Sequence, residues 1–245
     1  MKKFIIIIIL FLLMGVHVYA SRNQNAMDFE ANSTQYLSIA DNEPISPGSD
    51  DWTIAMNIKY ESNNVVRYLF ENSGAVSNNH IFLALTTGGF ITIKMADAQD
   101  DKVEETGTIL LKPGKWYHVA LGKRGINIYS CVDGVRNTSS GNSAIGAITV
   151  TGGLAPNIGA SVGASTFDGM IDEVRIWRHA IPCESLKGFM RRQLAATTTN
   201  LSGYWRLDDN LTDLSGNGNT ATNNNSAIFT TEVPFGREMF MFQNL

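Results

Sequence analysis

The chain has little charge, few prolines and only two cysteines among its 245 residues. Charged residues make up 17% of it and the net charge is −4, which argues against a clustered Lys/Arg surface for nucleic-acid phosphates. It contains no HExxH zinc motif and no strand–GxGxxG–helix phosphate loop. These absences exclude a nucleic-acid partner and two common enzyme classes. The apolar and turn-forming residues therefore carry most of the information.

The longest apolar run lies at the N-terminus. Lys2 and Lys3 precede an apolar stretch from Phe4 to about Val16, and Val18-Tyr19-Ala20 supplies the small residues that signal peptidase prefers. The run is shorter than the roughly 18–20 residues of a spanning helix. An uncleaved anchor is the alternative. The pattern favours a Sec-type signal peptide over 1–20, cleaved after Ala20, and a mature domain over 21–245 that does not span the membrane. A secreted, periplasmic or cell-surface location is expected.

Export also bears on the two cysteines, Cys131 and Cys183. Disulfides form and persist outside the cytoplasm, so these two residues can pair with each other. The alternative is two buried thiols, because a disulfide depends on a short Cα separation that a sequence does not give. Both interpretations stay open at this point.

From Met27 onward the chain contains short strands separated by Gly, Asn, Ser and Asp turns, which is typical of an all-β sandwich. Residues 52–60 alternate strictly between apolar and other positions, the pattern of a half-buried strand. Asp133-Gly134 predicts a hairpin turn. The one predicted helix is Pro182–Leu194, which starts with a proline and repeats apolar residues at helical spacing. The other main predicted strands are 65–70, 81–85, 90–95, 116–121 and 126–132.

Five segments resemble, in order, the LamG-like jelly-roll family (laminin G type 3) of the concanavalin A-like lectin/glucanase superfamily, with the pentraxins as distant relatives. The segments are AMDFEANSTQYLSI, WTIAMNIKY, GKWYHVALGKRGINIYSCVDGV, FDGMIDEVRIWRHAIPCESL and GYWRLDDNLTDLSGNGN. The resemblance extends over about 26–228. It implies a two-sheet antiparallel jelly-roll sandwich with one short packed helix near the C-terminus. It also implies a non-catalytic module that binds glycans or proteins outside the cell.

Some relatives in this superfold are glycoside hydrolases, which need two carboxylates at the scissile bond. The signature E-x-D-x-x-E of the laminarinase type is absent, and the nearest acidic cluster contains Asp97, Asp101 and Glu105. These three carboxylates would share a face of an extended chain, but the cluster lacks aromatic neighbours to hold a sugar. We interpret it as a solvated loop and predict no catalytic residue. His118 and His179 have no catalytic partner in the sequence, so we interpret them as structural.

The resemblance further implies one structural calcium ion between the first and last strands. Asp172 matches the carboxylate of the closing strand, and Glu30 and Asn32 lie in the turn where the opening ligands belong. Oxygen donors of this kind suit a hard cation. The alternative is that Asp172 and Glu173 are ordinary carboxylates, one of them paired with an arginine. The calcium-bridged ligand site of pentraxins is not expected, because the corresponding segment 157–165 has no carboxylate.

Three polar-tipped rings, Tyr68, His80 and Tyr129, lie on or beside predicted strands and are candidate sugar contacts. Packing in the core, or isolation on the surface, is the alternative for each ring. The sequence thus predicts a non-catalytic module outside the cytoplasm that binds an extracellular or cell-surface glycan. A protein–protein adhesion or assembly module of the cell envelope is the alternative. A divergent hydrolase acting through the acidic cluster at 97–105 is the third hypothesis.

Overall fold

The computed structural model describes residues 24–40, 50–73, 80–97, 99, 101–141, 156–161 and 164–234. The predicted signal peptide over 1–20 and the apolar tail at 239–242 lie outside the described residues. Within these described ranges, no helix is both long enough and apolar enough to cross a membrane.

Two antiparallel sheets form a β-sandwich, which confirms the predicted fold class. In the described part of the chain, sheet A has eight strands: β1 (Ala26–Phe29), β3 (Trp52–Tyr60), β8 (Tyr117–Arg124), β9 (Asn127–Val132), β10 (Val135–Gly141), β14 (Gly169–Trp177), β15 (Leu201–Trp205) and β17 (Ile228–Thr230). Sheet B has seven strands there: β2 (Tyr36–Ser38), β4 (Arg67–Ser73), β5 (His80–Leu85), β6 (Phe90–Ala96), β7 (Lys102–Leu110), β11 (Asn157–Ile158) and β16 (Thr222–Asn224). The smaller elements are a two-stranded hairpin, β12 (Ala160–Ser161) with β13 (Ala164–Thr166), a 3-10 helix (Ala31–Ser33) and the helix α1 (Cys183–Leu186).

The strand order of sheet A is β10-β9-β8-β3-β14-β1-β17, and that of sheet B is β16-β2-β11-β4-β5-β6-β7. Strand β14 pairs with β3 along one side. Its other side pairs with β1 along the first half and with β15 along the second half. The segment that begins with Phe167-Asp168-Gly169 therefore enters the middle of sheet A, where it lies between β3 on one side and β1 and β15 on the other.

The main core lies between the two sheets. Its largest fully buried members come from both sheets and from the turn before β14: Phe29, Trp52, Tyr60, Phe70, Phe167 and Trp205. Burying an apolar side chain of this size stabilises the fold by about 1.5–3 kcal/mol. Ile54, Met56 and Ile58 all belong to this core, as the alternation over residues 52–60 predicted. The prediction of a half-buried strand is wrong, because Thr53, Ala55 and Asn57 on the other face are buried as well.

A second apolar cluster covers the outer face of sheet A. Trp177, Ile181 and Leu186, from the end of β14 and the chain after it, pack there against Ala55 and Ala120. The covering segment is also fixed covalently. Cys131 of β9 and Cys183 of α1 form a disulfide, with their Cα atoms 5.6 Å apart. The structure thus pairs the two cysteines, which was the first of the two alternatives.

The predicted helix over 182–194 is too long. Helix α1 ends at Leu186, and hydrogen-bonded turns follow it. The guanidinium of Arg175, on the sheet below, donates to the backbone carbonyls of Phe189 and Arg192, the latter at 2.7 Å. A buried cation from β14 therefore binds this segment in an irregular conformation. The predicted apolar face is nevertheless buried, since Met190 and Leu194 are 8% and 7% exposed.

Candidate ligand-binding face

The two apolar clusters of the described residues leave one sheet face for a ligand. One cluster lies between the sheets and the other lies on the outer side of sheet A. The outward face of sheet B, on strands β4 to β7, presents aromatic and polar side chains instead. Leu83 and Ile93 belong to the main core, so they identify the side of these strands that faces the other sheet. Alternation along a strand then places Phe82 and Lys94 on the outward face.

Three rings meet on this face, and we call them the ring cluster: Tyr68, His80 and Phe82. The centroid of the Phe82 ring lies 5.3 Å from that of Tyr68 and 5.3 Å from that of His80, both in edge-to-face geometry. Phe82 is only 6% exposed, whereas Tyr68 and His80 are partly exposed. Phe82 is therefore the base of the cluster, and the other two rings form its accessible surface.

A carboxylate lies at the edge of the ring cluster. Glu71 is the register partner of Phe82, and its Oε1 lies 2.7 Å from Nε2 of His80. Burial, together with the negative charges of Glu71 and Glu104, raises the pKa of Tyr68. Its hydroxyl thus stays protonated at neutral pH. The Tyr68 hydroxyl and the exposed Glu104 are accessible on this face, whereas Glu71 is 4% exposed and contacts His80.

Polar side chains continue the face toward the other edge of sheet B. Glu71 is in register with Asn157 of β11, Asn157 with Ser38 of β2, and Ser38 with Thr222 of β16. Adjacent strands lie about 4.8 Å apart, so the row from β6 to β16 spans roughly 24 Å. The row thus joins the rings to the hydroxyl groups of Ser38 and Thr222, which are partly or fully exposed, through Asn157, which is only 8% exposed.

Two of the three candidate sugar contacts meet in the ring cluster, and the third lies elsewhere. Tyr129 is on sheet A, where it is 2% exposed and its hydroxyl donates to the carbonyl of Ile181 at 2.8 Å. The guanidinium of Arg136 stacks over its ring at 4.3 Å. Tyr129 is thus part of the packing under the covering segment. The sequence did not single out Phe82 or Glu71, because their role depends on cross-strand register.

A family model decides the relationship of the chain. The model Laminin_G_3, described as Concanavalin A-like lectin/glucanases superfamily, matches residues 31–186, which is more than half of the chain. The chain belongs to this family. No curated protein matches its sequence significantly.

Several solved structures share the fold of this chain. A putative carbohydrate binding protein from Bacteroides ovatus aligns with a TM-score of 0.68 and 20% identity over 86% of this chain and 60% of that one. The heptameric SAP-like pentraxin of Limulus polyphemus aligns with a TM-score of 0.59 and 13% identity. The alignment covers 85% of this chain and 95% of the pentraxin. The CBM40 of a Ruminococcus gnavus IT-sialidase, bound to α2,3-sialyllactose, aligns with a TM-score of 0.54 and 14% identity. The alignment covers 69% of this chain and 100% of the CBM40. This chain therefore spans only part of the Bacteroides protein.

The acidic cluster that a glucanase of this superfamily would need does not converge here. Asp97 is 1% exposed, and its Oδ1 accepts the backbone N–H groups of Gln99 and Asp101, both at 3.0 Å. Residues 102–110 form strand β7, so the interpretation of this whole region as a loop is wrong. Within β7, Glu105 is in register with the core residue Ile93. Asp97 closes a turn, while Glu105 lies on the strand face opposite to Glu104.

The three residues expected to bind calcium in a laminin G domain are also separated. Phe29 is in register with Gly169 and Met27 with Ile171, which puts Glu30 about four residues, or roughly 13 Å, from Asp172 along the strands. Asp172 is fully buried, whereas Glu30 and Asn32 are exposed. Among the described residues, no group of three His, Cys, Asp or Glu side chains could hold a metal ion. Asp172 therefore does not meet Glu30 and Asn32 around one ion, while the structural calcium ion itself stays a prediction.

The carboxylate that does meet the opening turn is Asp168. Its Oδ1 accepts the backbone N–H of Ala31 at 3.2 Å, and its Oδ2 accepts the hydroxyl of Ser62. The sequence signal was an Asp-Gly pair directly before a strand, where Asp is expected to cap a turn. Glu173 is the carboxylate that pairs with an arginine, as the alternative to a calcium site expected. It accepts hydrogen bonds from Arg175 and, at 2.7 Å, from the Tyr204 hydroxyl.

Among the described residues, the two histidines outside the ring cluster, His118 and His179, have structural surroundings. His118 is 2% exposed, lies in register with Asn57, and its backbone N–H donates to Oδ1 of Asp133 at 2.9 Å. Burial and the charge of Arg175 lower the pKa of His118 to about 3. Burial also lowers the pKa of His179. Each is thus a neutral imidazole at physiological pH.

Proposed function

We propose that this protein is a non-catalytic, extracytoplasmic module that binds a glycan on the outward face of sheet B. The observation that carries the proposal is the ring cluster, in which Tyr68 and His80 are partly exposed beside Glu71. Rigid rings supply contact area for a sugar, and adjacent polar groups fix its hydroxyls. The similarity to the CBM40 bound to sialyllactose, and to a Bacteroides protein described as a putative carbohydrate binding protein, supports this type of ligand.

The location outside the cytoplasm is part of the proposal. The N-terminal pattern of Lys2 and Lys3, an apolar run and Val18-Tyr19-Ala20 supports export, and the Cys131–Cys183 disulfide suits an oxidising compartment. The absence of enzymatic activity is proposed because Asp97 is buried and engaged in a turn with Asp101, while Glu105 lies farther along the sheet in register with Ile93.

The test is binding of the purified mature domain to a broad glycan array, followed by titration calorimetry with the strongest hit. Tyr68→Ala should weaken binding at least tenfold, equivalent to about 1.4 kcal/mol, because it removes an accessible ring. The matched control is Phe189→Ala, which removes a partly exposed ring from the segment that covers sheet A and should leave affinity unchanged. Equal loss in both variants, or no glycan binding at all, would refute the proposal. Recovery of one stoichiometric envelope protein by a non-binding domain would favour the adhesion alternative.

A further inference from the structure

A further ring lies on the outward face of sheet B, outside the ring cluster. Tyr36 and Ser38 flank Leu37 on β2, and Leu37 belongs to the main core. Because side chains alternate along a strand, Tyr36 and Ser38 lie on the outward face, where both are partly exposed. Tyr36 is therefore a polar-tipped ring on the same face as the ring cluster.

The register places Tyr36 in the same row of sheet B as Tyr68. Strands β2 and β4 both pair antiparallel with β11, so they run in the same direction, and Ser38 and Glu71 are aligned across β11. Tyr36 lies two residues beyond Ser38, and Tyr68 lies two pairs of the β4–β5 ladder beyond Glu71, in that same direction. Two strand spacings, or roughly 10 Å, therefore separate Tyr36 from Tyr68 across the sheet.

Among the described residues of this row, no side chain stands between the two rings. The position between them is Gly159, directly after β11, and its backbone N–H donates to the carbonyl of Leu69 on β4 at 3.0 Å. Beyond Tyr36 the row continues with its register partner Asn224 of β16, which is partly exposed. The amide nitrogen of Asn224 donates to the Ser38 hydroxyl at 3.0 Å, and its amide oxygen is an acceptor that a sugar hydroxyl can use. The row thus presents two accessible rings and an amide.

We propose that the outward face of sheet B binds a linear, extended glycan that crosses the strands and contacts Tyr68 and Tyr36 with different sugar residues. This proposal rests on the glycan-binding function proposed above and adds chain length and linkage to it. The separation of the two rings is comparable to the length of a disaccharide, so a chain covers both rings only when it stays extended. Pyranoses joined through equatorial bonds, as in β1,4-linked glucose, form such chains, whereas α1,4-linked glucose coils.

A ligand that reaches both rings gains affinity because its two contacts are linked. Once one sugar is bound at Tyr68, contact of a later sugar with Tyr36 is intramolecular, and the glycan chain itself sets the effective concentration. Both tyrosines lie on paired strands of one sheet, so their spacing is fixed before the ligand binds. Affinity should therefore rise until the chain is long enough to contact both rings and then level off.

The experiment measures the affinity of the mature domain for ladders of β1,4-linked gluco-, xylo- and manno-oligosaccharides by titration calorimetry. In at least one ladder the affinity should rise about tenfold or more from the disaccharide to the tetrasaccharide and then level off. The α1,4-linked gluco-oligosaccharides are the matched probe, because they differ from the first ladder only in the anomeric linkage. They should show no such rise.

The variants test whether the gain with chain length depends on Tyr36. Tyr36→Leu keeps an apolar side chain on β2 but removes the flat ring, so the affinity for the tetrasaccharide should fall to about that for the disaccharide. Tyr36→Phe keeps the ring and should retain most of the gain. Phe189→Leu makes the equivalent change to a partly exposed ring on the covering segment and should retain all of it.

The outcomes separate this inference from the function on which it rests. Binding on the glycan array without a rise along any β1,4-linked ladder, or with an equal rise along the α1,4-linked one, would overturn the extended ligand and leave glycan binding intact. A gain that survives in Tyr36→Leu, or that falls equally in Phe189→Leu, would overturn the role assigned to Tyr36. No binding on the array or in any ladder would overturn glycan binding itself and, with it, this inference.

Discussion

Acidification should destabilise this protein through His118. The imidazole is 2% exposed, and burial together with the charge of Arg175 lowers its pKa to about 3, from the ordinary value of 6.5. Between these two values the unfolded chain binds a proton that the folded chain excludes. The free energy of unfolding must then fall as the pH falls, by about 1.4 kcal/mol per pH unit. The stability contributed by the neutral imidazole is complete above pH 6.5 and is lost progressively toward pH 3.

At pH 5 the expected loss is about 2 kcal/mol, since pH 5 lies 1.5 units below the unfolded pKa. That loss is a sizeable part of the roughly 5–15 kcal/mol that stabilises a typical domain. The measurement is urea unfolding of the mature domain at several pH values between 7.5 and 5. Restricting the range to pH 5 and above avoids most carboxylate titration, because unperturbed Asp and Glu titrate near pH 4.

The comparison variant is His118→Gln, which removes the titrating group and keeps a polar side chain. Whatever its absolute stability, its dependence on pH between 7.5 and 5 should be smaller than that of the wild type by one proton. His179→Gln serves as control, because His179 is only partly buried and should contribute less of the slope. A wild-type slope that survives unchanged in His118→Gln would refute the reasoning, since the folded state would then accommodate an imidazolium at position 118.

Two other predictions concern the covering segment and the calcium expectation. Replacing both Cys131 and Cys183 by Ala should lower the free energy of unfolding by about 4 kcal/mol, because the disulfide closes a loop with a sequence separation of 52 and so restricts the unfolded chain. Urea unfolding measures this loss. A loss below about 1 kcal/mol would contradict the prediction. Because Asp172 lies far from the opening turn, any change of Tm that a calcium chelator causes should be the same in Asp172→Asn as in the wild type. If the chelator changed the Tm of the wild type but not that of Asp172→Asn, Asp172 would be a calcium ligand after all.

The parts of the fold predicted from sequence are those set by local patterning. Residues 52–60 alternate without exception, and the observed β3 has the same bounds. Asp133-Gly134 adopts positive φ at both positions, which a two-residue hairpin turn of type I′ requires. Strand β7 was missed because it is an edge strand with charged residues, for which alternation is weak. The helix was predicted too long because Arg175, a contact distant in sequence, binds the carbonyls that follow it.

The candidate site was only partly predictable, for a related reason. Tyr68 and His80 were each identifiable as polar-tipped rings near strands, but their meeting depends on the pairing of β4 with β5. That pairing includes a register shift between Tyr68 and Phe70. A shift of one residue moves a side chain to the opposite face of a sheet, and no local pattern specifies where it occurs. Phe82 and Glu71 acquire their place in the cluster only through this register.

The two sheets differ in which of their outer faces is covered, and this difference follows from the path of the chain after β14. Beyond β14, the covering segment and its disulfide bury the outer face of sheet A, so that face contributes stability and cannot hold a ligand. Sheet B presents rings that are already held in place, with Tyr68 and His80 packed against the buried Phe82, and His80 contacting Glu71. Side chains ordered before binding lose less conformational entropy when a ligand arrives. The same contacts that hold the rings therefore favour binding on sheet B.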